Sequence, residues 1–275
     1  MRSHYKRRAR PISMSEMDYP SRLRAFPIDH NPCAGFPDEP GTIALRPSAS
    51  EKMTLNSPNT TDETALRQAI INTGLETNRR GLNQGTSGNI SARFGDGMLI
   101  TPSGIPYEAL QPDDLVYVDA DGQWAPGRKP SSEWHFHRAI LQARPELGAV
   151  VHVHSVHASV VAIQGRDIPA LHYMIAAAGG NSIRCAPYAT FGTETLSRLA
   201  VAALRDRTAC LLANHGMIAT GTDLERALWL TEEVELLARQ YVLSLQIGGP
   251  QLLDDAEMDR VLEKFRHYGP QRDRK

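Results

Sequence analysis

The sequence predicts an α/β domain three layers deep (α/β/α) around a mainly antiparallel central sheet. Helical and strand patterns interleave from about residue 62 to residue 265, and several of the strands are joined by tight turns rather than by helical crossovers. A chain of 275 residues, 41% hydrophobic and 22% charged, is long enough to bury one large core without a second domain.

The elements follow in order. Residues 62 to about 81 read as a helix: Thr61 or Asp62 offers the N-cap, Ala65, Leu66, Ala69, Ile70 and Leu75 recur at helical spacing, and Gly81 suits the stop. Asn89 to Phe94 and Met98 to Thr101 read as two strands around Gly95-Asp96-Gly97. Leu115 to Val118 is a short strand closed by Asp121-Gly122. Ser131 or Ser132 caps a helix to about Ala143, Ala149 to His154 is a buried strand, and a helix runs from Ser155 to about Gln164. Further helices are expected from Thr193 to about Arg205, from Asp223 to about Leu245 and from Asp254 to Phe265, with a strand from Thr208 to Ala213.

Residues 1–60 stand apart. They hold eight of the eighteen prolines and a basic cluster at Lys6, Arg7, Arg8 and Arg10, and they keep no sustained period of 2 or 3.6. Proline removes backbone donors and restricts the residue before it, so the expectation is a disordered, Pro-rich extension, with the folded domain spanning 61–275. No apolar h-region marks a secretory signal, and Met53 is placed where translation of the folded part alone could begin.

Charge and cysteine usage narrow the function classes. A formal net charge of −1 offers no whole-chain attraction for nucleic acid or an anionic membrane. Apolar runs stop well short of the roughly 18 residues a membrane span needs. Cys33, Cys185 and Cys210 are an odd, widely spaced set without a CxxC pair, which points to a reduced, cytoplasmic protein; Cys185 and Cys210 lie in apolar surroundings that suit inert thiols.

The most distinctive local pattern is His152-Val153-His154. On a strand, side chains two residues apart share a face, with Cα atoms about 6–7 Å apart, so two imidazoles there can converge on one ion. His215, before Gly216 at the end of another strand, is a third candidate, and Glu133 at a helix start can complete a site of the catalytic type, in which one position opens to substrate. The pair taken alone also fits hydrogen-bonded core histidines. His135 and His137 repeat the pattern on a helix, where residues two apart diverge by about 200°, so both are read as structural.

Three stretches could hold an anion: Gln84-Gly85-Thr86-Ser87-Gly88-Asn89, Thr101-Pro102-Ser103-Gly104, and Ser131-Ser132 at a helix N-terminus. Each alone also reads as an ordinary turn or cap. Hydroxyl, amide and backbone donors can bind phosphate without net basic charge, and the absence of a P-loop or Gly-x-Gly-x-x-Gly in context argues against a nucleotide.

Longer blocks carry a family resemblance. Gly81-Leu82-Asn83-Gln84-Gly85-Thr86, Leu99 to Tyr107, Ser131-Ser132-Glu133-Trp134, His172 to Gly180, Ala186 to Thr193 and Ala227-Leu228-Trp229-Leu230 resemble the class II L-fuculose-phosphate aldolases, of the class II aldolase and adducin family, in order over about residues 62–270. The resemblance implies a Zn2+ site of His152, His154 and His215, with Glu133 as resting ligand and catalytic acid/base. It implies a phosphate pocket of Thr86, Asn89, Ser103, Gly104, Ser131 and Ser132, in which Ser103 replaces the threonine of close relatives. Tyr173 is implied to act from a neighbouring subunit of a C4 homotetramer, and Tyr268 to close over the substrate. The implied reaction is reversible cleavage of a ketose 1-phosphate, such as L-fuculose 1-phosphate, to dihydroxyacetone phosphate and an aldehyde such as L-lactaldehyde. Related substrates are 5-deoxyribulose and methylthioribulose 1-phosphate in nucleoside salvage. Epimerases and dehydratases of the superfamily, and the non-catalytic adducin head domain, are the other members such a fold could represent.

Overall fold

The computed structural model describes residues 60–266. The extension up to residue 59, and Tyr268 at the other end, lie outside the described residues.

Seven strands form one sheet in the order β3-β2-β1-β4-β7-β6-β5, where β1 is Asn89–Phe94, β2 Gly97–Ile100, β3 Val116–Val118, β4 Ala149–Val153, β5 Arg184–Ala186, β6 Ala209–Leu212 and β7 Gly216–Gly221. Every neighbouring pair is antiparallel except β5 with β6. Among the described residues six α-helices flank it: α1 Thr60–Arg79, α2 Trp134–Ala143, α3 Val156–Ile163, α4 Glu194–Ala203, α5 Leu224–Gln246 and α6 Asp255–Arg266. The expected mainly antiparallel sheet and its two helical layers are therefore present.

The period of two along each strand divides the core. On β4, Val151 and Val153 face the layer of α1, α3, α5 and α6, while Val150 faces α2 and α4. On β1, Ile90 and Ala92 join the first layer. Asn89 and Ser91, on the opposite parity, are buried and hydrogen-bond with residues of α2. Buried polar groups between a sheet and a helix are tolerated only when bonded, so this side of the sheet is where chemistry is expected.

Several boundaries differ from the sequence reading. Helix α2 starts at Trp134 with Glu133, not a serine, in the N-cap position, although the Ser131 hydroxyl accepts from the Glu133 N–H at 3.3 Å. Strand β4 ends at Val153, leaving His154 in the turn that leads into α3. Strands β5 and β7 are additions. β7 is bounded by Gly216 and Gly221, and its partner across the turn supplies the pairing that its own glycine-flanked sequence signals weakly. Because β6 and β7 form a hairpin through Ala213, Asn214 and His215, His215 sits in a loop, with Asn214 at φ +54°.

Cys185 and Cys210 are both free; burial pushes Cys185 up to about 12 and Cys210 higher still, so neither is a reactive thiolate. Among the described residues no helix is long and apolar enough to cross a membrane.

Candidate metal centre and active-site cleft

Four chain segments meet at the carboxyl end of β4. His152 is its penultimate residue and fully buried, with its ring edge-on to Phe136 of α2 at 5.4 Å. Its Nδ1 lies 2.9 Å from the Met217 carbonyl and must donate to it, which leaves the Nε2 lone pair free to bind an ion. His154 follows in the turn, its backbone N–H donating to Asn83 Oδ1 at 3.3 Å. Asn83 is itself tied to the Ser87 carbonyl, so the Gly85–Gly88 loop and the histidine turn hold each other in place. Glycine is required at two close approaches: a Cβ on Gly88 (φ +72°) would run into the His152 carbonyl, and one on Gly216 would lie 2.8 Å from the His154 ring.

The three rings stand 4.8–4.9 Å apart, edge-on to one another. His152 Nε2 and His154 Nε2 are 3.0 Å apart, and one ligand atom from each of His152, His154 and His215 lies within 4.8 Å of the others. Glu133 approaches from the α2 N-terminus, Oε2 3.3 Å from His152 Nε2 and Oε1 3.3 Å from His215 Nε2. Oε1 is buried and has no hydrogen-bond partner, as expected of an atom that completes a cation's coordination. Three imidazoles and one carboxylate are a donor set for a divalent transition metal, so the residues fit such an ion.

The electrostatics agree. Burial opposes ionisation of Glu133, but the facing His152 and His215 and the Asn89 hydrogen bond outweigh it and hold the carboxyl well below the usual carboxylate range. Burial, reinforced by His152, pushes His154 and His215 down to about 4, keeping their rings neutral and available as ligands near neutral pH.

Beside this cluster opens a cleft of about 330 Å³. Thr86, Asn89, Ser103, Gly104, Ser131 and Ser132, the six residues expected to form a phosphate pocket, all line it with Glu133, His154 and His215. The Ser132 N–H donates to Ser103 Oγ at 2.9 Å, which joins two of the three anion stretches. Among the described residues, those that line the cleft include no Lys or Arg and offer mainly hydroxyl, amide and backbone groups.

Tyr173 does not reach its own chain's cleft. It opens a short 3₁₀ segment, Tyr173–Ala178, is half exposed, and stacks on His172 at 4.6 Å. Tyr188, Phe191 and Asn214, to which the sequence pattern gives no role, also line the cleft. Tyr188 and Phe191 are each 63% exposed, and two aromatic residues in a short Pro- and Gly-flanked loop are the signal that could have marked them.

Neither helical histidine joins the three-ring cluster. His135 stacks on Trp134, as a structural residue does. His137 is fully buried and bonded to Asn89, whose amide reaches Glu133, so it belongs to the surroundings of the site.

Comparison with known proteins places this geometry. Residues 68–242 match the family model described as the class II aldolase and adducin N-terminal domain. An L-fuculose phosphate aldolase of Escherichia coli K12 is 57% identical over 205 residues, 74% of this chain and 95% of the relative. A 5-methylthioribulose-1-phosphate/5-deoxyribulose-1-phosphate aldolase of Rhodospirillum rubrum is 56% identical over 205 residues, 74% of this chain and 93% of the relative. A solved L-fuculose 1-phosphate aldolase superposes with TM-score 0.71 at 40% identity, covering 74% of this chain and 96% of the other. The chain belongs to the class II aldolase and adducin family.

Proposed function

We propose that the chain is a zinc-dependent aldolase that reversibly cleaves a ketose 1-phosphate, L-fuculose 1-phosphate foremost, into dihydroxyacetone phosphate and a small aldehyde such as L-lactaldehyde. The observation that carries this reading is the convergence of His152, His154 and His215 with Glu133 3.3 Å from two of them, beside a cleft lined by hydroxyl, amide and backbone groups suited to a phosphate. The buried Glu133 Oε1, which makes no hydrogen bond, supports a cation at this place.

Zn2+ held by His152, His154 and His215 would supply Lewis-acid stabilisation of the negative charge that develops on the substrate's carbonyl oxygen. The chain's own groups do the rest. Thr86, Asn89, Ser103, Gly104, Ser131 and Ser132 hold the phosphate and so fix the sugar carbons relative to Glu133. In the condensation direction Glu133 removes a proton from the hydroxymethyl carbon of dihydroxyacetone phosphate, and Tyr173 of a neighbouring subunit gives one to the aldehyde oxygen. In cleavage both transfers reverse. Tyr268, outside the described residues, is assigned the role of limiting water that the resemblance implies. The half-exposed position of Tyr173 away from its own cleft supports a homotetramer with sites between subunits. We place the enzyme in the cytoplasm, acting on a small molecule without nucleic acid or membrane partners.

A second substrate reading, 5-deoxyribulose or methylthioribulose 1-phosphate, is favoured by the equally similar Rhodospirillum rubrum relative. A retro-aldol assay across these ketose 1-phosphates, with and without chelator, tests both. Chelator-sensitive release of dihydroxyacetone phosphate is expected, with the preferred aldehyde identifying the substrate. Equal kcat/KM for a ketose and its 1-phosphate would contradict the phosphate pocket.

A further inference from the structure

A buried line of hydrogen bonds ends on Glu133, and its direction can be derived. Asn89 Nδ2 donates to Glu133 Oε2 at 2.9 Å. The Asn89 Oδ1 atom then faces His137 Nε2 at 2.5 Å, and since an amide oxygen only accepts, Nε2 must carry the ring proton. His137 Nδ1 is therefore the acceptor, and the Ser91 hydroxyl 2.7 Å away donates to it. Ser91 and His137 are fully buried, while Asn89 and Glu133 are 4% and 6% exposed, so water cannot replace any of these bonds cheaply.

The placement follows from two periods. Asn89 and Ser91 share a face of β1 at a spacing of two, and Glu133 and His137 share a face of α2 at a spacing of four. Asn89 is also the cross-strand partner of His152. Reversing the Asn89 amide would set its oxygen against Oε2 of Glu133, a repulsive contact that no tautomer of His137 relieves. Both His137 nitrogens are committed within the line, so it is not a metal ligand.

We propose that His137 is a positioning residue for the reaction: its Nε2–H fixes the Asn89 amide so that the NH2 faces Glu133 and holds the carboxylate in one orientation between His152 and His215. The inference rests on the acid/base role given to Glu133 above.

Two measurements test it on the full chain. In metal-free protein labelled with 15N-histidine, the His137 ring should show a protonated Nε2 and an accepting Nδ1, assigned by its loss in His137→Gln. A ring protonated on Nδ1 instead would overturn the proposal even if both variants were inactive. The second measurement compares two variants of similar size. His137→Gln places an amide donor near the Nε2 position, whereas His137→Asn places its amide nearer Nδ1 and leaves Asn89 unheld. His137→Asn should lower kcat by about 10–100-fold, the cost of a misplaced catalytic group, with KM changing less and bound metal unchanged. His137→Gln should recover most of that loss at matched thermal stability. Equal losses in both variants, with an active wild type, would make His137 a packing residue and overturn this inference alone. A wild type without retro-aldol turnover would overturn the aldolase reading and this inference together.

Discussion

His135-Phe136-His137 and His152-Val153-His154 are the same three-residue pattern on different backbones. On β4 and the turn after it, the two rings meet with their Nε2 atoms 3.0 Å apart. On α2 they part: His135 lies against Trp134, while His137 points inward to Ser91 and Asn89. A strand returns side chains to one face every two residues and a helix every three to four, so one pattern makes a metal centre and the other cannot. The helical pair is still not idle, because the inward member sits one turn from Glu133 and reaches it through Asn89.

The sharpest way to break this contrast is to remove a ligand. His215→Ala should weaken metal binding by more than about 100-fold, since a ligand matters at least as much as its outer supports, and turnover should go with it. Stoichiometric metal by elemental analysis of the purified variant would remove His215 from the centre. Glu133→Gln comes next: metal content should stay high while kcat falls by about 10²–10⁴-fold, the range of general acid–base catalysis. Unchanged turnover in a steady-state assay would exclude Glu133 as the acid/base.

Acid stability separates the fully buried His137 from the half-buried His135. Burial, with a smaller contribution from His152, pushes His137 down to about 3 from an ordinary value of 6.5, against an opposing pull from Glu133. A depressed histidine value means that the unfolded chain binds more protons in that window. Its neutral form thus supports the fold fully above about pH 6.5, and stability falls as pH drops from there toward 3. Urea unfolding of the metal-free protein at pH 7 and pH 5 should show about 2 kcal/mol more acid loss in wild type than in His137→Gln. Equal losses would mean that His137 does not govern this limb. The smallest effect is expected at His135, whose half-buried ring stacks on Trp134: His135→Gln should change stability by no more than about 1 kcal/mol and leave metal content intact. A large loss of metal there would abolish the distinction between the two patterns.

Much of the fold could be read from residue order. Helix α1 from its Ala65-Leu66-Ala69-Ile70 spacing and β1 with β2 from the Gly-Asp turn are found close to where periodicity puts them. Helix α5 begins where Asp223 accepts from the Arg226 N–H, a cap its residue type announces. Strand β7 escapes a sequence reading because a strand buried on both faces shows no alternation and its bounding glycines read as loop, and β5, three residues long, is too short for any period to show. The start of α2 was misplaced because Ser131 and Ser132 are better N-cap types than Glu133, yet Glu133 takes that position with its carboxylate turned toward two histidines.

By itself the order of residues determined the alternation on β4 that sets His152 apart from Val153, the donor types in the three anion stretches, and the family blocks that link them. Those are properties of local backbone period and side-chain chemistry, which a single segment carries. Only the tertiary structure decided that His215 reaches His152 across the β6–β7 turn, that Asn89 lies opposite His152, and that His137 bonds back to Asn89. Strand register and helix rotation set these approaches, and both are chosen by the packing of the whole core against the sheet, where no one segment contains the information.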